Sequence, residues 1–166
     1  MLGINLLFAG FALSLNGLSY YVKMDRKMIG FANLLVGAII FINSVIGVLQ
    51  ATSIADYSNS AGGFLFAVNY LLIFISHIKE DVFKLFGFYE LFASIVSAIY
   101  VVSTAISGIY ILTYLWAMWA VLWFEGFLDS FCNVKILSKI SPIILIANGI
   151  LSTFVPGILI LLGIIL

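Results

Sequence analysis

The chain has 166 residues, of which 64% are hydrophobic and only 8% charged, and seven basic residues balance seven acidic ones. Soluble domains carry about 25% charged residues, so this composition excludes a soluble enzyme, a nucleic-acid-binding protein and a disordered chain. A helical span needs about 20 residues, so six spans would use about 120. We therefore predict an all-α integral membrane protein in which residues 1–166 form a single domain of six transmembrane helices.

The first three predicted spans are apolar runs at residues 1–20, 29–49 and 64–77. The charged segment 22–27 separates the first two runs, and the polar segment 50–63 separates the second from the third. No basic segment precedes the first run, so we expect a retained span rather than a cleaved signal peptide. Segment 50–63 is expected to be a loop that carries one charge, Asp56.

The next apolar run, residues 85–131, is longer than one bilayer crossing and must fold back once. Small polar residues at 103–108 are the place where the chain can turn, and this turn creates the fourth and fifth spans. The sixth span is predicted to run from Pro142 to the C-terminus, with the proline in its first helical turn.

The basic residues give this arrangement an orientation. All of them fall in the first, third and fifth loops: Lys23, Arg26, Lys27, Lys79, Lys84, Lys135 and Lys139. Basic loops stay in the cytoplasm, so both termini are predicted to lie outside. The acidic residues Glu80 and Asp81 belong to the third loop.

Charged residues are scarce inside the predicted spans. Glu90, Glu125 and Asp129 lie within about two turns of the basic loops. The favoured interpretation is interfacial acids paired with lysines or backbone amides, and the alternative is an ion or proton pathway. His77 and Cys132 each occur once, which excludes a histidine cluster and an intramolecular disulfide. No metal or other cofactor is predicted.

Three tryptophans share one face of the fifth span. Trp116, Trp119 and Trp123 have the spacing i, i+3 and i+7. Two interpretations stay open at this point: a flat wall that guides a planar solute, or ordinary packing between helices. Phe66 and Tyr70 share a face of the third span, and Asn148 beside Gly149 in the sixth resembles the polar residues that cross-link helices.

The ordered set of motifs resembles the AmiS/UreI family of urea and short-amide channels. The motifs lie in successive spans and are Met1-Leu2-Gly3, Asn16-Gly17, Asn33, Phe66-Ala67-Val68-Asn69-Tyr70-Leu71, Tyr89 and the tryptophan-rich segment Trp116-Ala117-Met118-Trp119-Ala120-Val121-Leu122-Trp123. Pro142, Gly149 and Pro156 fit the last span.

The resemblance implies a homohexameric ring in a bacterial cytoplasmic membrane, with one pore in each protomer. Transport would be passive, would need no cofactor, and would carry urea, acetamide or another short aliphatic amide to a cytoplasmic urease or amidase. The implied pore-lining and selectivity residues are Leu6, Leu13, Phe66, Tyr70, Trp116, Trp119, Leu122, Trp123 and Asn148. Expected partners are the permeant, membrane lipid and further copies of the chain, but no nucleic acid.

Two departures from the family's acid-gated branch carry predictions. The outer segment 50–63 has no histidine, and histidine is the side chain suited to switching near pH 6, so we expect no gating by external acid. Asn148 stands where that branch has glutamate, which leaves the exact selectivity open.

Three other classes of function remain as alternatives. An ion-coupled secondary transporter is the main one, although no pair of mid-membrane carboxylates supports it. A membrane enzyme would need a cluster of acids, histidines or cysteines, and Glu125 with Asp129 is the nearest approach to one. A purely structural subunit is the third. The expectation is that the protein is not an enzyme.

Overall fold

The computed structural model describes residues 1–79 and 82–165, and this part of the chain forms six long helices. Their bounds are α1 Leu2–Leu18, α2 Arg26–Leu49, α3 Ile54–Ile78, α4 Phe83–Ile106, α5 Tyr110–Ser130 and α6 Leu137–Leu161. The predicted Glu80 and Asp81 of the third loop lie outside the described residues.

The all-α membrane architecture predicted from composition is confirmed. Helices α2 to α6 are each long and apolar enough to cross a bilayer, whereas α1 is shorter, with 17 residues. At about 1.5 Å per residue, α1 spans about 26 Å, slightly less than a hydrocarbon core of about 30 Å. Large apolar side chains in the middle of the helices face outward, as Leu35, Ile99 and Val121 do. Such a surface suits lipid and not water.

The prediction of a loop over residues 50–63 is wrong, because α3 begins at Ile54. Ser53 caps this helix by accepting a hydrogen bond from the Asp56 backbone N–H, and the Asp56 carboxylate accepts one from the Ser53 N–H. This reciprocal pair satisfies two N–H groups that a helix start leaves free. The connection from α2 is therefore only a few residues long.

The predicted turn between the fourth and fifth spans is present, but only the C-terminal end of the predicted segment 103–108 takes part in it. Helix α4 continues to Ile106, and Gly108 adopts φ of +72°, a conformation that glycine adopts at little cost. The placement of Pro142 in the first turn of the last helix is wrong. Helix α6 begins at Leu137 and contains Pro142 in its second turn.

Helix α1 packs tightly against α6 through glycines. Gly3, Gly10 and Gly17 recur every seven residues and so share one face of α1. A Cβ atom on Gly10 would lie 2.7 Å from the backbone nitrogen of Phe154, and one on Gly17 would lie 2.7 Å from the Pro142 carbonyl oxygen. Only glycine permits this backbone approach, which is typical of membrane helices.

Helix α6 changes its winding in the middle. Residues Gly149–Phe154 are π-helical, between α-helical segments Leu137–Asn148 and Val155–Leu161. The wider turn ends just before Pro156, whose ring clashes with the carbonyl four residues earlier in a regular α-helix. π-Helical turns of this kind re-aim side chains and are frequent at functional sites.

The alternating helix directions give the bundle two different ends. We call the end that carries the α1–α2, α3–α4 and α5–α6 connections, with all the lysines and arginines, the basic end. We call the opposite end, at which α1 begins and α6 ends, the terminal end.

Candidate functional site

Aromatic side chains from α3 and α5 meet in the middle of the bundle. The Phe66 ring lies 4.8 Å from Trp119 and 4.9 Å from Trp123, measured between ring centroids. The contact with Trp119 is edge-to-face, which is a favourable geometry for aromatic rings. All three side chains are at most 6% exposed. We call these three residues, with Leu6, Leu13 and Leu122, the central layer.

Trp116 extends this cluster toward the terminal end. Its indole stacks on Tyr100 of α4 at 4.4 Å and meets Trp119 edge-on at 4.9 Å. A Cβ atom at Gly62 would lie 3.0 Å from the Trp116 ring, so the glycine makes room for it. The three tryptophans predicted on one face of α5 are therefore all in the protein interior.

Trp119 is held in place from behind by the π-helical segment of α6. Its indole N–H donates to the Ser152 hydroxyl at 3.2 Å, and this hydroxyl donates to the Asn148 carbonyl at 2.8 Å. The Asn148 side-chain oxygen is 3.0 Å from the same hydroxyl. Asn148 is thus close to Trp119 but acts through Ser152, which the sequence does not single out.

Tyr70 has its hydroxyl group occupied within the protein. It is fully buried, and its O–H donates to the Ala9 carbonyl of α1 at 3.1 Å. Its ring lies 6.4 Å from Phe66 in a stacked arrangement. Tyr70 therefore ties α3 to α1 beside the central layer, and its donor is not directed at open space.

A cavity of about 480 Å³ reaches the central layer from the terminal end. Leu6, Phe66, Trp116 and Trp119 line its inner part. Its remaining walls are rich in uncharged polar residues and include Asn5, Asn43, Ser44, Asn59 and Ser60.

A second cavity, of about 420 Å³, reaches the layer from the basic end. Leu13, Leu122 and Trp123 line it on the side of the layer. None of the described residues lines both cavities. Six of the nine predicted pore residues thus form the central layer between two cavities, Trp116 adjoins one of them, and Tyr70 and Asn148 support the layer without lining either cavity.

The basic-end cavity also contains the three acids of the spans. Glu90 and Glu125 are 6% and 8% exposed, and Asp129 lies one turn beyond Glu125. Glu125 accepts a hydrogen bond from the Ser141 hydroxyl, and one carboxyl oxygen of Glu90 has no hydrogen-bond partner among the described residues. The interpretation of Glu90 and Glu125 as acids paired with lysines or backbone amides is therefore wrong.

Asparagines connect the helices around this cavity. Asn16 of α1 and Asn33 of α2 exchange two hydrogen bonds, of 3.0 and 2.8 Å, between their side-chain amides. Within the described parts of the chain, no group of three or more acids, histidines or cysteines is arranged to hold a metal ion. The described residues of this site offer aromatic contacts, hydrogen bonds and three acidic side chains.

The family model of AmiS/UreI transporters matches residues 1–164. Among curated proteins, the "Acid-activated urea channel" of Helicobacter pylori strain 26695 is 27% identical over 95% of both chains. A "Putative amidate substrates transporter protein" of Mycolicibacterium smegmatis is 26% identical over 97% of this chain and 76% of its own length.

Solved structures give the same result for the fold. The crystal structure of the Helicobacter pylori urea channel superposes with a TM-score of 0.85 and 26% identity over all of both chains. The electron cryomicroscopy structure of that channel in its closed state superposes with a TM-score of 0.87 and 25% identity over 98% of both chains. These relatives are channels or transporters and not enzymes.

Proposed function

The chain belongs to the AmiS/UreI family of transporters, and from this premise we propose that it is a passive channel for small, neutral, planar solutes. The proposed permeants are urea, acetamide and other short aliphatic amides. The proposed location is a cytoplasmic membrane, with the basic end facing a urease or amidase. Two of the relatives, a urea channel and a putative amidate substrates transporter, support this class of solute.

The observation that carries the proposal is the central layer between two polar cavities. A solute that enters either cavity can keep hydrogen bonds to polar walls, but it must leave its water behind at the layer. Aromatic and leucine side chains cannot replace the hydration shell of an ion, so an ion meets a large barrier there. A flat neutral amide has a smaller dehydration cost and can slide along ring faces.

The lining of the whole proposed path comes from one protomer. Both cavities and the central layer are built from residues of a single chain. This supports a pore in each protomer, and we propose that the assembly is a homohexamer with one pore per protomer.

A solute series tests the proposal. Purified protein in proteoliposomes is exposed in a stopped-flow instrument to gradients of urea, acetamide, formamide or glycerol, with and without an ionophore. We expect rapid flux of the three planar solutes, slow flux of glycerol, and no effect of the ionophore. Flux that requires a sodium or proton gradient would instead support the ion-coupled transporter.

We also propose that external acid does not gate this pore. The terminal-end connections are residues 50–53 between α2 and α3 and residues 107–109 between α4 and α5. Neither connection contains histidine, the side chain suited to switching near pH 6. Urea flux is expected to be equal within about twofold at about pH 7.5 and about pH 5. Activation of several-fold at the lower pH would contradict this proposal and leave the solute class untouched.

A further inference from the structure

Two buried oxygen atoms beside the basic-end cavity have no hydrogen-bond partner among the described residues. They are Asn69 Oδ1 and Glu90 Oε2, and their residues are 5% and 6% exposed. Both side chains line the cavity. A buried acceptor without a donor costs free energy, most of all when it belongs to a carboxylate. The cavity wall therefore holds two unsatisfied acceptors, which a rotation of either side chain would present to a ligand rich in N–H groups.

Both acceptors lie one helical turn from the aromatic pair Phe66 and Trp123. Asn69 follows Phe66 by three residues on α3, so the two share a face. The Glu90 carboxyl group lies directly on Gly126, where any Cβ atom would collide with it. Gly126 follows Trp123 by three residues on α5. Of the two rings, Trp123 lines this cavity together with Asn69 and Glu90, whereas Phe66 lines the other cavity.

The charged side chains around the cavity are mainly acidic. Within the described residues, Glu90, Glu125 and Asp129 line it together with one basic group, Arg26, and with His77. Glu125 has its hydrogen bond from Ser141, and the His77 ring nitrogen Nδ1 lies 2.8 Å from the Ile73 carbonyl. This excess of acidic groups favours a ligand that carries positive charge as well as N–H groups.

We propose that the basic-end cavity is a binding site for planar organic cations of the guanidinium and amidinium class. Guanidinium has the shape of urea, carries only donors, and binds both carboxylates and aromatic faces. Its N–H groups would meet Glu90 and Asn69 while its plane lies against Trp123. The inference deepens the proposed function, since it names a second ligand class for one cavity of that pathway.

A direct titration tests the site without any flux. Intrinsic tryptophan fluorescence of the purified protein is followed while guanidinium chloride is added, at constant ionic strength and below denaturing concentrations. We expect a saturable change with half-saturation in the millimolar range, and none with sodium or methylammonium. A wild-type protein that shows no saturable change overturns the proposal.

Two variants test where guanidinium binds. Glu90→Gln keeps the shape of the side chain and removes its charge, and Asn69→Ala removes the other acceptor. Each is expected to raise the half-saturation concentration, by at least about tenfold for the loss of the charge. The matched control is Asp56→Asn, an acid of the terminal-end cavity, which should bind guanidinium as the wild type does. Equal affinity in the wild type and both cavity variants overturns the proposed site.

An inhibition measurement separates this inference from the proposed function. Guanidinium present on both sides of the proteoliposomes should reduce urea flux in the wild type, and each variant is normalised to its own flux without guanidinium. Glu90→Gln should lose most of the fractional inhibition. Saturable guanidinium binding in a protein without urea flux would contradict the channel but not the binding site. Urea flux in a protein that does not bind guanidinium would contradict the binding site but not the channel.

Discussion

Trp119 and Trp123 occupy adjacent turns of α5, but the protein holds them differently. The Trp119 indole is fixed by its hydrogen bond to Ser152, whereas Trp123 is positioned by its contact with Phe66 and faces the basic-end cavity. A hydrogen bond restricts the rotation of a ring more than a packing contact does. We therefore propose Trp119 as a fixed wall of the central layer and Trp123 as the wall that a solute would meet beside the cavity.

Replacing either tryptophan should weaken the discrimination between flat and bulky solutes. Trp119→Ala and Trp123→Ala each remove a large ring from the central layer, so glycerol flux should rise several-fold relative to urea flux. Stopped-flow measurements of both solutes give this ratio. Since a buried Trp→Ala change costs about 3–5 kcal/mol of stability, Trp→Phe variants are measured beside them, with a smaller change expected.

Phe124→Ala is the matched control, because Phe124 lies on the same helix and is 47% exposed on the outside of the bundle. It should leave the glycerol-to-urea ratio unchanged. If the tryptophan variants fold and keep the ratio of the wild type, the central layer does not select the solute.

The contact between α1 and α6 holds the walls of the proposed pore together. Leu6 and Leu13 of the central layer lie on α1, and α6 supplies Ser152 behind Trp119. The glycine face of α1 sets the distance between these two helices. A change at this face should therefore affect both folding and permeation.

Gly10→Val should destabilise the protein strongly. Its side chain would collide with the backbone at Phe154 and Gly149, which cannot move as a side-chain end could, and overpacking of this kind costs about 1–3 kcal/mol or more. We expect a lower Tm in detergent, measured by a thermal-shift or size-exclusion assay. Phe11→Ala, next in sequence but 53% exposed, is the control and should change the Tm little.

Hydropathy predicts the helices well because the membrane requires long apolar segments. The places where prediction failed have local physical reasons. The start of α3 contains serine, asparagine and glycine, which are typical of loops, and Ser53 with Asp56 is the only local signal that a helix begins there. Pro142 is compatible with the second turn of α6, although a first-turn position is the usual one.

The candidate site was predictable only in part. The spacing of the tryptophans places them on one face, and the family resemblance names most of the residues around them. The hydrogen bond from Trp119 to Ser152 joins residues 33 positions apart, and it depends on the π-helical turn of α6. Pro156 marks the position in the sequence, but a proline alone does not indicate a π-helical turn. Neither Ser152 nor the supporting position of Asn148 could therefore be inferred from the sequence.

For the whole molecule, the predicted orientation can be tested with a thiol that the protein already has. Cys132 is the single cysteine, is exposed and lies in the α5–α6 connection at the basic end. If that end faces the cytoplasm, a membrane-impermeant maleimide should label Cys132 only after the cells are made permeable.

The matched variant carries Cys132→Ser together with Ser107→Cys in the turn at the terminal end. It should be labelled in intact cells. Labelling in the opposite pattern would place both termini in the cytoplasm and would reverse the direction in which the two cavities face.

An accumulation measurement distinguishes passive transport from ion-coupled transport. Radiolabelled urea is added to proteoliposomes that hold a sodium gradient, a proton gradient or neither, and its internal concentration is followed to a steady state. The proposed channel predicts a final internal concentration equal to the external one in all three cases, reached faster than in protein-free liposomes. Accumulation above the external concentration under either gradient would contradict it.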